Sequence, residues 1–310
     1  MLRKFTALLL AAIFIVAVSL GYASAREDQD LAGKVIILDA GHGKGSSPVY
    51  AGYVEHAVML RLALKIKPLL EARGADVRLT RQDDDTVPLE VRTAMVNKWA
   101  LEAVRDARER ELESAETEED TARLLDDLTE LDRLLDIIQS VIDDPKTNAP
   151  VYINIPFDYS YKREIHPDWQ KVFEYQNDPE VRERFLFISL HSNATPNPIN
   201  TSANGAIVFY ISNDIKNNAR YYSNYSYSGE SLSFAEAILD GINALGIRNR
   251  GAAEYYFLMI REHNIPGVLV ENGFHTNRND RTKLLSNSFL NKLASAYCTA
   301  ISGYFSALSV

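Results

Sequence analysis

The sequence predicts an α/β fold: a mostly parallel central sheet with helices on both faces, plus an inserted acidic α-helical hairpin. Three observations carry that reading. Short runs rich in Val, Ile and Leu end at turn residues, as fully buried parallel strands do. Stretches with a helical stripe of apolar residues alternate with these runs, which covers both faces of a sheet. One long charged stretch breaks the alternation with a heptad-like leucine pattern. The 310 residues, 46% apolar and 24% charged, suffice for a substantial core.

The elements follow in order. Arg3 and Lys4, the apolar run from Phe5 to Leu20 and the small residues Ala23-Ser24-Ala25 are the parts of a secretory signal. Residues 1–25 are therefore read as a signal peptide and 26–310 as one domain. Export follows, to a periplasm or to the extracellular space and cell wall, with no stable membrane span after signal cleavage. The alternative is an uncleaved anchor, because the run approaches the ~17-residue lower limit for spanning. Lys34–Ala40 is a buried strand that ends in Gly41-His42-Gly43, where glycine permits a tight turn. Glu55–Arg73 carries apolar residues at 58, 62, 66, 69 and 70, a helix bent at Pro68 and stopped at Gly74. Val77–Thr80, Leu186–Leu190, Ala206–Ile211 and Gly267–Val270 are four further strands. Leu232, Ala235, Leu239 and Ile242 form one helical face that stops at Gly246, and a helix over Ser288–Leu308 closes the chain.

The insertion spans 99–184. A helical hairpin covers about 99–144, with Leu124, Leu128, Leu131, Leu135, Ile138 and Ile142 as its seam and Thr117 with Asp120 as a cap. An aromatic, proline-rich segment over 145–184 reads as loop, because Pro150, Pro156, Pro167 and Pro179 interrupt any long element. Residues 101–145 hold 16 acidic and 5 basic side chains.

Charge and cysteine content exclude whole classes. Thirty-three basic against 42 acidic residues give −9, so no broad basic face is available and no nucleic-acid partner is expected. Cys298 is the only cysteine, which excludes an internal disulfide framework and any multi-cysteine metal site. A metal, if bound, has only His and carboxylate ligands.

Ligands of open α/β sheets bind beyond the carboxyl ends of the strands. His42 follows the first strand, His191 the Leu186–Leu190 strand and Glu271 the Gly267–Val270 strand, while Glu55 opens the helix after the first loop. If those strands are parallel neighbours, all four meet at one rim. Two imidazoles and a carboxylate leave a zinc ion one open position, the pattern of a hydrolytic site. A second carboxylate is then needed to move the water's proton, and Glu271 is the candidate.

The motifs Leu38-Asp39-Ala40-Gly41-His42-Gly43, Gly52…Glu55, Leu79-Thr80-Arg81, Leu89…Arg92…Asn97, Ile188-Ser189-Leu190-His191-Ser192-Asn193 and Val270-Glu271-Asn272-Gly273-Phe274…Asn277 occur in this order. Together they resemble the zinc-dependent N-acetylmuramoyl-L-alanine amidases of the amidase 3 family, over about residues 34–98 and 185–306. The resemblance implies an amidase domain holding one Zn2+ per chain on His42, Glu55 and His191, with Glu271 as catalytic carboxylate. It implies peptidoglycan as substrate, cut at the amide between N-acetylmuramic acid and L-alanine during wall remodelling, daughter-cell separation or lysis. It further implies substrate contacts from Asn193 and Arg261; His56, the helix neighbour of Glu55, and His275, just past the Glu271 strand, are read from their own positions as supporting groups beside the ligands. Three departures stand out: Lys44–Tyr50 lacks the usual Asp, His56 replaces the usual Lys, and some 85 residues separate Asn97 from the strand before His191. The acidic hairpin 101–145 is read as a docking site for an activator protein with a basic face, against a solvated hairpin packing on itself. Two rival functions are a zinc peptidase acting within the stem peptide and a non-catalytic wall-binding or scaffold protein on the same fold.

Overall fold

The strands are β1 (Val35–Ala40), β2 (Val49–Tyr50), β3 (Tyr53–Val54), β4 (Asp76–Leu79), β5 (Phe185–Asn193), β6 (Ala206–Tyr210), β7 (Asn249–Glu254) and β8 (Gly267–Phe274). The helices are α1 (Glu55–Glu71), α2 (Leu89–Glu113), α3 (Glu118–Asp143), α4 (Pro145–Tyr152), α5 (Pro167–Tyr175), α6 (Pro179–Arg182), α7 (Ser228–Ala244), α8 (Leu258–Arg261), α9 (Arg278–Leu285) and α10 (Asn287–Leu308). They come from a computed structural model that describes residues 29–46, 49–155, 164–196, 202–213 and 225–308. The segment read as a signal peptide, residues 1–25, lies outside the described residues. Among those residues no helix is long and apolar enough to cross a membrane.

Six strands form one sheet in the order β4-β1-β5-β8-β6-β7. β4, β1, β5 and β8 run parallel to one another; β6 is antiparallel to β8 and carries β7 parallel to itself. β1 shows why the sheet needs cover on both faces. Its Ile36, Leu38 and Ala40 join a core with α1, α7 and α10, while Val35 and Ile37 join a second core with α2, α3, α5 and α8. Side chains alternate along a strand, so an unbroken apolar run serves two cores at once.

The local signals act as their chemistry dictates. Val58, Leu62, Ile66 and Leu70 are the buried stripe of α1, which runs through Pro68 to Glu71, and Gly74 takes φ +89° just beyond it. Thr117 Oγ1 accepts from the Asp120 N–H at 3.0 Å and starts α3. The buried face of α3 is Leu124, Leu131, Leu134, Ile138 and Val141, shifted from the expected seam because the helix meets both α2 and α4.

Two expectations are corrected. The segment 145–184 is not simply loop: it holds α4, α5 and α6, and Pro145, Pro167 and Pro179 each stand at a helix start. Proline suits the first helical position, where its missing N–H leaves no bond unmade. Asp144, His166 and Asp178 cap these helices by accepting a backbone N–H. The second is a sixth strand, β7, absent from the sequence reading. Its NRGAAE sequence carries no apolar run because β7 lies at the sheet edge and is half-buried or exposed throughout.

A candidate metal centre at the carboxyl edge of the sheet

Three adjacent parallel strands, β1, β5 and β8, bring their carboxyl ends to one rim. His42 follows β1 by two residues, in a left-handed backbone conformation with φ +63°. His191 and Glu271 lie inside strands longer than their apolar runs, paired directly across the β5–β8 ladder. A register shift between His191 and Asn193 breaks the ladder just beyond them. Glu55 is the first residue of α1, entered from the short β2–β3 hairpin.

The donor atoms of His42, Glu55 and His191 all lie within 4.8 Å of one another. Glu55 Oε1 is 3.3 Å from His42 Nε2 and 3.2 Å from His191 Nδ1. Bonds of about 2.1 Å to a tetrahedral ion put neighbouring donors roughly 3.4 Å apart, so both Glu55 separations match a small divalent metal. Gly41 makes room for it: a Cβ there would fall 2.4 Å from His191 Cε1. The two imidazoles meet edge to face at 4.8 Å and stay partly open to solvent, whereas Glu55 is buried.

The two carboxylates sit in opposite electrostatic states. Burial alone would raise Glu55, but hydrogen bonds and charge from His191 and His42 hold it well below the usual carboxylate range. The Ser192 N–H adds a third bond to Glu55 Oε1 at 2.9 Å. Burial, and then the negative charge of Glu55, push Glu271 well above that range. Glu271 Oε2 is buried without a hydrogen-bond partner. Glu271 lines a cavity of about 440 Å³ together with His42, His191 and the apolar Val87, Leu89, Phe257 and Met259.

The remaining site candidates fall elsewhere. Arg261 is a correction: its side chain is wholly buried, paired with Glu262 at 2.9 Å and donating to the carbonyls of Asn154 and Tyr256. It has no surface to offer a substrate and instead ties α8 to the end of α4. Asn193 closes β5, its side-chain oxygen accepting from the Ala194 N–H at 2.8 Å. His56 lies 3.6 Å from Asp84 and outside the cluster of three donors. His275 does not touch the three ligands. It stacks on Tyr53 at 5.0 Å, and its Nδ1 is 3.1 Å from Ser192 Oγ, behind the N–H that holds Glu55. Tyr53 and Ser192 complete this backing through a 2.8 Å hydroxyl bond, and neither was legible as a site residue. Asp39 stands in the first motif without an assigned role, although an acid inside an apolar strand is a signal. Wholly buried, it receives Thr80, Ser189 and Arg92.

Residues 36–104 and 159–303 match the amidase 3 family, described as N-acetylmuramoyl-L-alanine amidase. The chain belongs to that family. Its sequence is similar to the N-acetylmuramoyl-L-alanine amidase AmiC of Escherichia coli O6:H1, 21% identical over 282 residues, covering 87% of this chain and 52% of the relative. It is 31% identical over 121 residues to LytC of Bacillus subtilis, covering 39% of this chain and 21% of that protein. The chain thus spans about half the length of the first relative and about a fifth of the second. Two solved amidases share the fold. An enzyme from Clostridium difficile 630 gives a TM-score of 0.53 at 17% identity, over 89% of this chain and 98% of that one. AmiC2 of Nostoc punctiforme gives 0.52 at 19% identity with the same coverage. The family match is interrupted only over 105–158, which holds the end of α2 with α3 and α4.

Proposed function

We propose that this amidase-family chain is an exported zinc hydrolase acting on peptidoglycan, cutting the amide between the lactyl group of N-acetylmuramic acid and L-alanine of the stem peptide. The observation that carries the proposal is the convergence of three metal-type donors, two of them on a cavity that Glu271 also lines. His42, Glu55 and His191 hold the ion, which when bound supplies Lewis acidity toward a carbonyl oxygen and toward water. Glu55 stays deprotonated among its three hydrogen-bond partners and binds as a carboxylate. Glu271 handles the proton, accepting one from the attacking water and returning it to the leaving nitrogen. Burial and the neighbouring Glu55 charge raise its proton affinity, which suits the second half of that task. The apolar lining of that cavity excludes water and suits the uncharged parts of the substrate. Asn193, at the end of β5 beside the rim, is assigned to substrate contact.

The acidic hairpin is assigned to an activator with a basic face. All five arginines of 101–145 already pair with carboxylates, Arg105 with Asp132, Arg108 with Asp127, Arg110 with Glu180, Arg123 with Asp120 and Arg133 with Glu130. The surplus acids are left to face a partner.

The deciding experiment incubates the purified chain lacking residues 1–25 with wall sacculi, with and without chelator, and analyses the products by mass spectrometry. Release of stem peptides with a free L-alanine amino terminus, abolished by chelator, is the expected result. Cuts inside the stem peptide would establish the peptidase instead, and intact sacculi a non-catalytic wall protein. Deleting 101–145 tests the hairpin: unchanged activity, localisation and partner capture retire its docking role.

A further inference from the structure

Leu79-Thr80-Arg81 is among the motifs picked out in the sequence that the proposed chemistry leaves without a task. Arg81 follows β4, is 3% exposed and enters the space between the end of β1 and the start of α1. Its guanidinium bonds run to backbone carbonyls: Nε donates to Ala40 O at 2.7 Å, Nη2 to Gly41 O at 3.0 Å and to His56 O at 2.8 Å, and Nη1 to Asp83 O at 2.7 Å. Among the described residues no carboxylate lies within ion-pair distance of it, in contrast to Arg92 on Asp39.

Three of those carbonyls belong to the segments that carry two of the three metal-type donors. Ala40 and Gly41 immediately precede His42, and His56 immediately follows Glu55. No sheet hydrogen bond joins these segments, since β1 ends at Ala40 and α1 begins at Glu55. His42 moreover holds φ +63°, a conformation that a residue with a Cβ keeps only when its surroundings impose it. The Gly41 N–H is fastened to Leu190 O at 2.9 Å, and Arg81 fastens the carbonyl of the same residue from the other side. A planar fork with five N–H groups can span three carbonyls on two segments, and an ammonium cannot.

We propose that Arg81 is a positioning residue for the metal centre: it clamps the backbone that carries His42 to the backbone that carries Glu55 and so sets the separation of those two ligands. The inference rests on the proposed reading of His42, Glu55 and His191 as a metal site and adds the part that holds it in register. Arg81 touches neither ion nor substrate and acts only through the two segments it joins.

The test uses the chain lacking residues 1–25 as wild type, Arg81→Ala and Arg81→Lys. Zinc affinity is measured by chelator competition, the geometry by visible absorption of the cobalt-loaded proteins, and the stability of the metal-free proteins by urea unfolding. Arg81→Ala is expected to weaken zinc binding ten- to hundredfold, with Arg81→Lys between it and wild type and an altered cobalt spectrum in both. Low-millimolar guanidinium ion, refilling the space, is expected to recover part of the affinity of Arg81→Ala. If the alanine variant does not fold, the lysine variant decides alone. A lysine variant with wild-type zinc affinity and cobalt spectrum overturns the assignment, whatever its urea midpoint. A wild-type chain that takes up neither metal overturns the metal reading itself, an outcome visible before any variant is compared.

Discussion

His191 and Glu271 face each other across the β5–β8 ladder, directly paired on adjacent parallel strands. Side chains paired in register leave a sheet on the same side, so the ladder alone delivers an imidazole and a carboxyl group to one cavity. The relationship divides the labour at the rim. His191 turns its Nδ1 to Glu55 at 3.2 Å, while Glu271 stays out of the donor cluster with one oxygen unpartnered.

That division gives the first prediction. Glu271→Gln keeps the shape of the side chain and removes its proton chemistry. Hydrolysis of wall fragments is expected to fall at least about 100-fold, the usual scale for a positioned acid–base group, with zinc stoichiometry unchanged. Loss of zinc in this variant would move Glu271 into the ligand set.

Gly41 is the position where a single methyl group reaches the cluster without touching a ligand's chemistry. An added Cβ at 2.4 Å from the His191 ring has to push that ring aside. Gly41→Ala is expected to lower metal affinity by roughly ten- to hundredfold, the scale seen when support of a ligand is lost. Competition with a chelator reads the change; an unaltered affinity would mean the ring has somewhere else to go.

The Asp39–Arg92 pair, 2.8 Å long and almost wholly buried, ties β1 to α2 behind the rim. Burial alone would raise Asp39, but Arg92 and the hydroxyls of Thr80 and Ser189 hold it below the usual range. Asp39→Asn keeps acceptors for the hydroxyls and strands the guanidinium charge, a change that costs about 3–5 kcal/mol. Asp76→Asn, which breaks the half-exposed Arg78 pair, is expected to cost under about 1 kcal/mol. Urea midpoints of the two variants should differ accordingly.

His263 supplies a pH dependence away from the metal. It is buried against Phe187, with Nε2 2.8 Å from Met259 O and Nδ1 accepting from the Ile265 N–H, and burial pushes it down to about 4. Its folded pKa lies below the ordinary 6.5, so the unfolded chain takes up the proton first as pH falls. Stability is therefore full above about pH 6.5 and is lost down to about pH 4, by roughly 3 kcal/mol for this group. Unfolding of wild type and His263→Gln at pH 7 and pH 4.5 checks the sign: the variant should lose less stability across that interval.

The parts of the fold read correctly from sequence are those where one segment states its own burial. Ile36, Leu38 and Ala40 against Val35 and Ile37 describe a strand with two covered faces whatever its neighbours are. Val58, Leu62, Ile66 and Leu70 describe a helix with one covered stripe. Proline was the misleading signal. In 145–184 proline does keep every element short, but Pro145, Pro167 and Pro179 also begin helices rather than leave loop, and Asp144 and Asp178 are the available clue. Nothing in NRGAAE announced β7, because an edge strand with little to bury carries little apolar pattern.

The four principal site residues were proposed from their types and their places after strands and at a helix start, on the condition that the strands be neighbours. Strand order met that condition, placing β5 between β1 and β8 and bringing residues as distant as His42 and Glu271 to one cavity. The same tertiary packing turned Arg261 inward, set His275 behind Ser192 and wrapped three backbone carbonyls around Arg81. Hydrophobic periodicity reports which face of a segment avoids water, a property of that segment alone. Which segments then lie side by side, and which polar groups are left to satisfy one another there, is settled only when the covered faces meet.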